Sequence, residues 1–203
     1  AVAGVDTIVH CAGSAKGDDH KTRNLVRAAV RAGRPYIVYI SVVGCDRVPV
    51  VSRTDRAMFG YLAAKRAAEV AIEESGLPYT TLRASQFYDS LLTVLSGMAR
   101  MPVLPVPKGL GFQPIDTAEV ATRLVDLTLD RPVGLLPEMA GPRAYTMNEL
   151  VRSYLTASHR RRLLIPVSVP GKAAAAIRAG ANLAPDHAVG KRTWEDFLAE
   201  RLR

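Results

Sequence analysis

The sequence lacks the features that stabilise small secreted domains or anchor a chain in a membrane. Its two cysteines, Cys11 and Cys45, are too few for a disulfide framework or a structural zinc site. Uncharged stretches such as 35–45 run about eleven residues, well short of the roughly 20 that a membrane-spanning helix needs. No secretory signal pattern opens the chain. We therefore expect a reduced, cytoplasmic protein with no membrane association and no bound metal.

Acidic residues are outnumbered, with 19 aspartates and glutamates against 27 lysines and arginines and a formal net charge of +8. The excess is spread along the chain and forms no basic tail. Residues 151–185 carry basic side chains and no acidic one, but they lack the interleaved aromatic residues typical of nucleic-acid binding. A solvent-facing surface is the preferred interpretation of this stretch, and a phosphate-bearing ligand or an acidic partner is the alternative. Nucleic acid is not an expected partner.

The 203 residues suit one domain, or one domain with a small additional lobe. With 48% hydrophobic and 23% charged residues, the composition is that of a folded globular protein. Apolar runs alternate with amphipathic segments, which predicts βαβ units and a parallel sheet. The predicted strands are 7–13, 36–41, 79–83, 133–137 and 163–169, and the first of these is predicted to be a buried parallel strand. The predicted helices are 18–31, 58–75, 87–99, 116–129, a helix from 146, 172–179 and 192–202. A polar loop is predicted at 46–56, and Thr146 with Glu149 three residues on predicts a capping box.

Tyr61 and Lys65 are the strongest candidates for chemistry. Four residues apart on a predicted helix, they share one face. An ammonium beside a phenol should lower the tyrosine pKa and make an acid or base for a carbonyl or alcohol. Ser41, at a strand end, could hold the same oxygen. The alternative is an exposed tyrosine beside an ordinary surface lysine, because Tyr-x-x-x-Lys also arises by chance.

Several short motifs occur in a characteristic order. They are Val9-His10-Cys11-Ala12-Gly13, Tyr39-Ile40-Ser41-Val42-Val43-Gly44, Tyr61-x-x-x-Lys65, Ser75-Gly76-Leu77-Pro78-Tyr79-Thr80 with Leu82-Arg83, and Gln113-Pro114-Ile115-Asp116. Each motif is weak alone, but the ordered set covers nearly the whole chain. In this the chain resembles the atypical short-chain dehydrogenases/reductases of the NmrA-like and NAD(P)-dependent epimerase/dehydratase-like group.

The resemblance implies an α/β fold, a Rossmann-type doubly wound parallel sheet with a small C-terminal α/β lobe. Residues 1–130 would form the NAD(P)-binding part, and residues 131–203 a substrate-binding lobe intertwined with it. NADP or NAD is the implied cofactor, with NADP favoured. The implied catalytic residues are Ser41, Tyr61 and Lys65, and the implied cofactor-binding residues are Cys11, Ala12, Gly13, Lys65, Ala84, Ser85, Gln86 and Phe87.

The chain departs from the family pattern in two places. The family begins with a strand and Gly-x-x-Gly-x-x-Gly, which is not found here, so roughly 60 to 75 family residues have no counterpart. We expect a fragment or a truncated gene product, with weak NAD(P)H binding. Asp18 lies about where related enzymes place an asparagine, and a helix cap is its preferred interpretation.

The function implied is that of an NAD(P)-dependent oxidoreductase or epimerase-like enzyme acting on a small carbonyl or alcohol. The alternative is an NmrA-like redox sensor that binds the dinucleotide without turnover, and a third possibility is an inactive piece. A homo-oligomer is possible. We interpret His10 as a packing residue, and expect two apolar sets, Trp194, Phe197 and Leu198, and Leu91, Leu92, Val94 and Leu95, to lie in the core.

Overall fold

The computed structural model describes residues 2–13 and 17–202, which form an α/β structure with a four-stranded parallel sheet. Its strands, in sheet order, are β1 (Thr7–His10), β2 (Tyr36–Val42), β3 (Tyr79–Ala84) and β6 (Gly134–Leu135). In the first three strands Val9 lies opposite Val38, and Val38 lies opposite Thr80.

Helices cover both faces of this sheet, as in a doubly wound fold. One face packs against α1 (Asp18–Arg31) and α2 (Arg53–Glu73), where Tyr39 is fully buried. The opposite face packs against α4 (Thr117–Leu129), with Val38 buried against it. Val, Ile and Tyr dominate β2, which is buried along its whole length, because these side chains fit a strand covered on both faces. The predicted fold class is therefore confirmed.

A second group of elements packs beside the sheet around Trp194. The rings of Tyr88, Trp194 and Phe197 pack together in this group, with centroids 5.3 to 5.6 Å apart. Its strands are β4 (Val103–Pro107), paired in parallel with β8 (Leu163–Val167), and β5 (Gly111–Phe112), antiparallel to β7 (Tyr145–Thr146). Its helices are α3 (Tyr88–Met98), α5 (Met147–Ala157) and α7 (Trp194–Arg201). Helix α6 (Lys172–Arg178) packs in a separate apolar cluster with Val42 of β2 and Leu62 of α2. No helix in the described part of the chain is long and apolar enough to cross a membrane.

Side-chain caps set the starts of several helices. The predicted start of α2 at residue 58 is wrong, because Ser52 and Asp55 form a capping box that begins the helix at Arg53. The expected capping box between Thr146 and Glu149 is confirmed at α5. A serine followed three residues later by an acidic residue is typical of a helix start. The predicted loop at 46–56 is therefore wrong from Arg53 onward.

Two burial predictions are wrong. The run at 7–13 is predicted to be a buried parallel strand, but Val9 is 44% exposed and β1 pairs on one edge only among the described residues. Val94 was expected in the core and is 53% exposed, because it falls on the outer side of α3 while Leu91 and Leu95 face inward. The expected core positions of Trp194, Phe197 and Leu198 are confirmed.

The turn after β2 joins the sheet to the C-terminal segment. Gly44 adopts φ +83°, and a Cβ there would lie 2.5 Å from the backbone oxygen of Ala181. Only glycine allows so close an approach in this conformation. Arg47, three residues on, donates to Ala181 O at 3.1 Å and forms a bidentate pair with Glu138. The sequence motif at Gly44 therefore has a packing role.

Candidate functional site

A cavity of about 390 Å³ opens at the carboxyl ends of β1, β2 and β3. Ligands of open parallel sheets bind at this end of the strands. Every predicted site residue lines the cavity except Ala12, which is exposed between two lining residues. Sequence reasoning missed Ile40, Val42 and Ser90. The lining residues are Cys11, Gly13, Ile40, Ser41, Val42, Tyr61, Lys65, Ala84, Ser85, Gln86, Phe87 and Ser90.

Lys65 lies at the centre of this arrangement and is only 2% exposed. Its Nζ donates a hydrogen bond to the backbone oxygen of Ile40 at 3.0 Å. The same nitrogen is 4.8 Å from the ring centroid of Tyr39 and 5.8 Å from that of Tyr61. Burial lowers the pKa of Lys65, and the nearby carboxylate of Asp18 opposes that shift. The face shared by Tyr61 and Lys65 on α2 is thus turned toward the cavity, as their spacing predicted.

Asp18 does not cap α1, so the preferred interpretation of this residue is wrong. The cap position is Gly17, with φ +75° and no side-chain hydrogen bond. Asp18 occupies the first turn, fully buried, with Oδ2 3.4 Å from Nζ of Lys65. Neither carboxylate oxygen accepts an aligned hydrogen bond within the described residues. We call Asp18 and Lys65 the Lys65 pair.

The expected lowering of the Tyr61 pKa is also wrong. Partial burial and then the carboxylate of Asp18 raise the pKa of Tyr61 to about 12. Sequence spacing placed an ammonium beside the phenol correctly, but it gave no sign that a buried carboxylate accompanies that ammonium. Tyr61 itself is 39% exposed at the cavity.

Ser41 faces the same side of β2 as Tyr39 and is buried. Its Oγ lies 3.7 Å from Sγ of Cys45, which donates to Oε1 of Glu69 at 3.3 Å. Burial and the Glu69 carboxylate raise the pKa of the Cys45 thiol to about 12. Cys11 and Cys45 are both free, and Cys11 is exposed at the cavity.

Below Ser41, Glu69 and Arg83 form the centre of a second set of charges, which we call the Arg83 network. Arg83 donates from Nε and Nη2 to the two Glu69 oxygens, each at 2.8 Å, and from Nη1 to Asp46 at 2.7 Å. Arg66 adds a contact to Glu69 at 3.0 Å. Burial alone would raise the pKa of Glu69, but hydrogen bonds from Arg83 and Ser41 hold it at about 2. Sequence reasoning missed this network.

The cavity fits part of a dinucleotide on two observations. A Cβ at Gly13 would lie 3.2 Å from Nζ of Lys65 and 3.9 Å from Cε2 of Tyr61, so glycine leaves that space open. Oγ of Ser85 and Oε1 of Gln86 are buried without a hydrogen-bond partner among the described residues. Such polar atoms are normally satisfied, so they are available to a polar ligand.

His10 is a packing residue, as predicted. It is 7% exposed, its Nε2 lies 2.9 Å from Oγ1 of Thr22, and its ring stacks on Tyr39 at 5.1 Å. Burial and the Lys65 charge lower the pKa of His10. Among residues 2–13 and 17–202, no group of three or more His, Cys, Asp or Glu side chains could hold a metal ion.

Solved structures share this fold over nearly the whole chain. An NADPH-dependent quinone oxidoreductase from Escherichia coli in complex with NADPH superposes with TM-score 0.78 at 17% identity, covering 100% of this chain and 78% of that one. Triphenylmethane reductase from Citrobacter sp., complexed with NADP(H), gives 0.70 at 18% identity, covering 99% and 78%. A nucleoside-diphosphate-sugar epimerase from Staphylococcus aureus gives 0.66 at 21% identity, covering 97% and 77%.

Sequence comparison identifies the family. None of the curated proteins compared with the chain matches it. The NAD(P)H-binding family profile matches residues 1–128, which include the Gly13 turn, Ser41, the Lys65 pair and the 84–87 segment. The expected resemblance to NmrA-like and epimerase/dehydratase-like proteins is confirmed by this match and by the shared fold. This chain is a member of the NAD(P)H-binding family, and NAD(P)H is its cofactor class.

Proposed function

We propose that this protein is an NAD(P)H-dependent oxidoreductase that reduces a small carbonyl or quinone-type acceptor. The observation that carries the proposal is the convergence of Ser41, Tyr61 and Lys65 on one cavity, opposite Gly13 and the 84–87 segment. A proton donor, a cation and a hydroxyl at one strand edge are the groups that carbonyl reduction needs. Cavities of this size fall in the roughly 300–1,000 Å³ range of small-molecule sites.

Each side chain has a distinct part in this proposal. A bound reduced nicotinamide supplies the hydride. Tyr61 then donates a proton to the oxygen that gains negative charge, since its raised pKa keeps it a phenol near neutral pH. Ser41 orients that oxygen by hydrogen bond. Lys65, held by Ile40 O and Asp18, presents its remaining N–H to a ribose hydroxyl.

Other features of the proposal concern the bound partners. Ser85 and Gln86 would hold polar groups of the nicotinamide end, and Cys11, Ala12 and Gly13 would lie along the dinucleotide. NADPH is the proposed coenzyme, as in the complexes of the quinone oxidoreductase and the triphenylmethane reductase.

We assign dinucleotide binding to residues 1–130 and substrate contacts to the intertwined 131–203 lobe. The free thiols suit a reducing compartment such as the cytoplasm, and a homo-oligomer is proposed.

The test compares Tyr61→Phe with the wild type in NADPH oxidation against quinones, small aldehydes and ketones. Loss of the hydroxyl alone should lower carbonyl turnover by at least about 100-fold, because a positioned proton donor contributes about that much or more. NADPH affinity, followed by coenzyme fluorescence, should change little. Tyr79→Phe is the matched control, because Tyr79 lies at the opposite end of β3 from the cavity, and its turnover should equal the wild type.

Two results would revise the proposal in different ways. Unchanged turnover in Tyr61→Phe would remove Tyr61 from the mechanism and leave hydride transfer to an acceptor that needs no protein acid. A wild type that binds NADPH but turns over none of the acceptors would favour the redox-sensor alternative, in which the same cavity reports coenzyme state to a partner.

A further inference from the structure

Asp18 carries a buried carboxylate beside Lys65, and the proposed reaction does not consume it. It is 0% exposed, whereas the next residue, Asp19, lies on the outer side of α1 and pairs with Arg23. Within residues 2–13 and 17–202 neither oxygen of Asp18 accepts an aligned hydrogen bond. Among these described residues its one ion pair is with Lys65 at 3.4 Å. Burying a carboxylate costs folding free energy unless it is paired with a specific opposite charge. We therefore ask what the pairing of Asp18 with Lys65 does at the site.

The contacts of Lys65 show what that role can be. Its ammonium has three N–H donors. One is given to Ile40 O at 3.0 Å, and a second faces Asp18. The third N–H has room on the side of the cavity formed by Gly13. A Cβ at Gly13 would lie 3.2 Å from Nζ, so the glycine leaves this space open. Asp18 therefore fixes the direction in which Lys65 points and offsets its charge.

The balance of charge around Tyr61 depends on this pair. Burial raises the pKa of Cys11 and Cys45 and lowers that of His10, so these groups are uncharged near neutral pH. Tyr39, whose pKa burial also raises, is a neutral phenol. Among the residues that the structure describes, the Lys65 pair is thus the nearest source of charge to Tyr61, and the net charge of this ion pair is zero. The titratable groups that face Tyr61 and Lys65 among the described residues are His10, Cys11, Asp18, Tyr39 and Cys45.

We propose that Asp18 is a positioning residue that neutralises Lys65 and so keeps Tyr61 a hydrogen-bond donor, which suits the site to reducing an acceptor and makes it a poor base for oxidising an alcohol. This inference rests on the proposed function, because it assigns a direction to the chemistry of the same site. A lysine without its counter-ion would stabilise the phenolate instead. Whether the charges around Tyr61 favour the phenol or the phenolate therefore depends on the carboxylate of Asp18.

The test is the ionised fraction of Tyr61 at pH 10, read from phenolate absorbance as the difference between each protein and its Tyr61→Phe counterpart. An ordinary tyrosine is about half ionised there. Asp18→Asn keeps the shape and removes the charge, so the ionised fraction should rise about tenfold or more over the wild type. Asp19→Asn removes a carboxylate one residue away, on the outer side of α1, and should leave the ionised fraction of Tyr61 unchanged. Adding Lys65→Met to Asp18→Asn should return the ionised fraction of Tyr61 toward the wild-type value.

This readout requires neither coenzyme nor turnover, so an inactive protein would refute the proposed function while leaving the inference on Asp18 standing. An unchanged ionised fraction in Asp18→Asn would overturn the inference. If that variant fails to fold, the wild type decides: Tyr61 should be almost wholly un-ionised at pH 10, and a half-ionised Tyr61 there refutes the proposal. Where turnover is measurable, the alkaline limb of the pH–rate profile should move to lower pH in Asp18→Asn and stay in place in Asp19→Asn.

Discussion

Two buried ion clusters lie one helical turn apart on α2, and they differ in how completely their hydrogen bonds are satisfied. In the Arg83 network both Glu69 oxygens accept from Arg83 at 2.8 Å, with Arg66 and Cys45 as additional donors. In the Lys65 pair the ions are 3.4 Å apart and Asp18 accepts no aligned hydrogen bond among the described residues. Lys65 of the second cluster lines the cavity, whereas Glu69 and Arg83 of the first are not among the lining residues.

The Arg83 network has the hydrogen bonding of a structural ion cluster, whereas the Lys65 pair has hydrogen-bonding groups that no described residue uses. A satisfied buried network is rigid and adds specificity to the packing of α2 on β3. A buried pair with unused donors and acceptors is poorly stabilised by itself, and such pairs concentrate at functional sites. We infer that the Arg83 network holds α2 against β3 and that the Lys65 pair takes part in ligand binding.

The largest expected effect comes from breaking the Arg83 network. Glu69→Gln removes the carboxylate but leaves Arg83 buried, with Asp46 as its one remaining acidic partner among residues 2–13 and 17–202. Removing one partner of a buried ion pair typically costs about 3–5 kcal/mol, and we expect the free energy of unfolding to fall by about 3 kcal/mol. Urea denaturation measures it. A loss below about 1 kcal/mol would show that the network is not structural.

Arg66→Ala is the matched control for this prediction. Arg66 contacts the same carboxylate, but its side chain is 41% exposed. Exposed ion pairs contribute about 0–1 kcal/mol, so this variant should lose less than about 1 kcal/mol.

The pH dependence of stability should report the same network. Glu69 has a pKa of about 2 in the folded protein against 4.5 as the ordinary value. A carboxyl that is more acidic when folded stabilises the fold above its unfolded pKa and loses that contribution as the pH falls. About 3 kcal/mol should therefore disappear between about pH 5 and pH 2. This part of the slope should be missing from Glu69→Gln, and identical slopes in the two proteins would contradict the assignment.

A smaller effect tests the free space beside the Lys65 pair. The added methyl of Gly13→Ala would lie 3.2 Å from Nζ of Lys65, the flexible end of a side chain that can move slightly. Stability should change by less than about 0.5 kcal/mol. NADPH affinity should fall about tenfold or more, or about 1.4 kcal/mol, because the methyl occupies space proposed for the coenzyme.

Gly60→Ala is the control for Gly13→Ala. Its added methyl meets nothing within 4 Å on α2. Because alanine favours a helix over glycine, the variant should gain up to about 1 kcal/mol of stability. Its NADPH affinity should match the wild type. Equal affinities in both glycine variants would place the coenzyme elsewhere.

Much of the fold and of the candidate site could be predicted from the sequence, because the signals involved are local. The four-residue spacing of Tyr61 and Lys65 places both on one face of α2, and strand ends place Ser41 and 84–87 at the same edge of the sheet. The capping box at Thr146 is likewise legible in the chain. Each of these depends on neighbours a few residues apart or on the general geometry of parallel sheets.

The electrostatics of the site could not be predicted in the same way. Asp18 is separated from Lys65 by 47 residues, and whether it caps a helix or pairs with an ammonium depends on how α1 packs against α2. Glu69 and Arg83 meet only because α2 lies on β3. The pKa of Tyr61 moved opposite to expectation for this reason, since burial and a distant carboxylate outweighed the adjacent lysine.

The sequence by itself determined the α/β class, the parallel sheet and which strand ends meet at the cavity, because hydrophobic periodicity and turn residues act over short distances along the chain. Only the tertiary structure decided which charges are buried together, that Asp18 faces Lys65, and that Tyr61 stays a phenol. The physical reason is that desolvation and Coulomb interactions depend on distances and burial that packing alone establishes, and no local pattern encodes them.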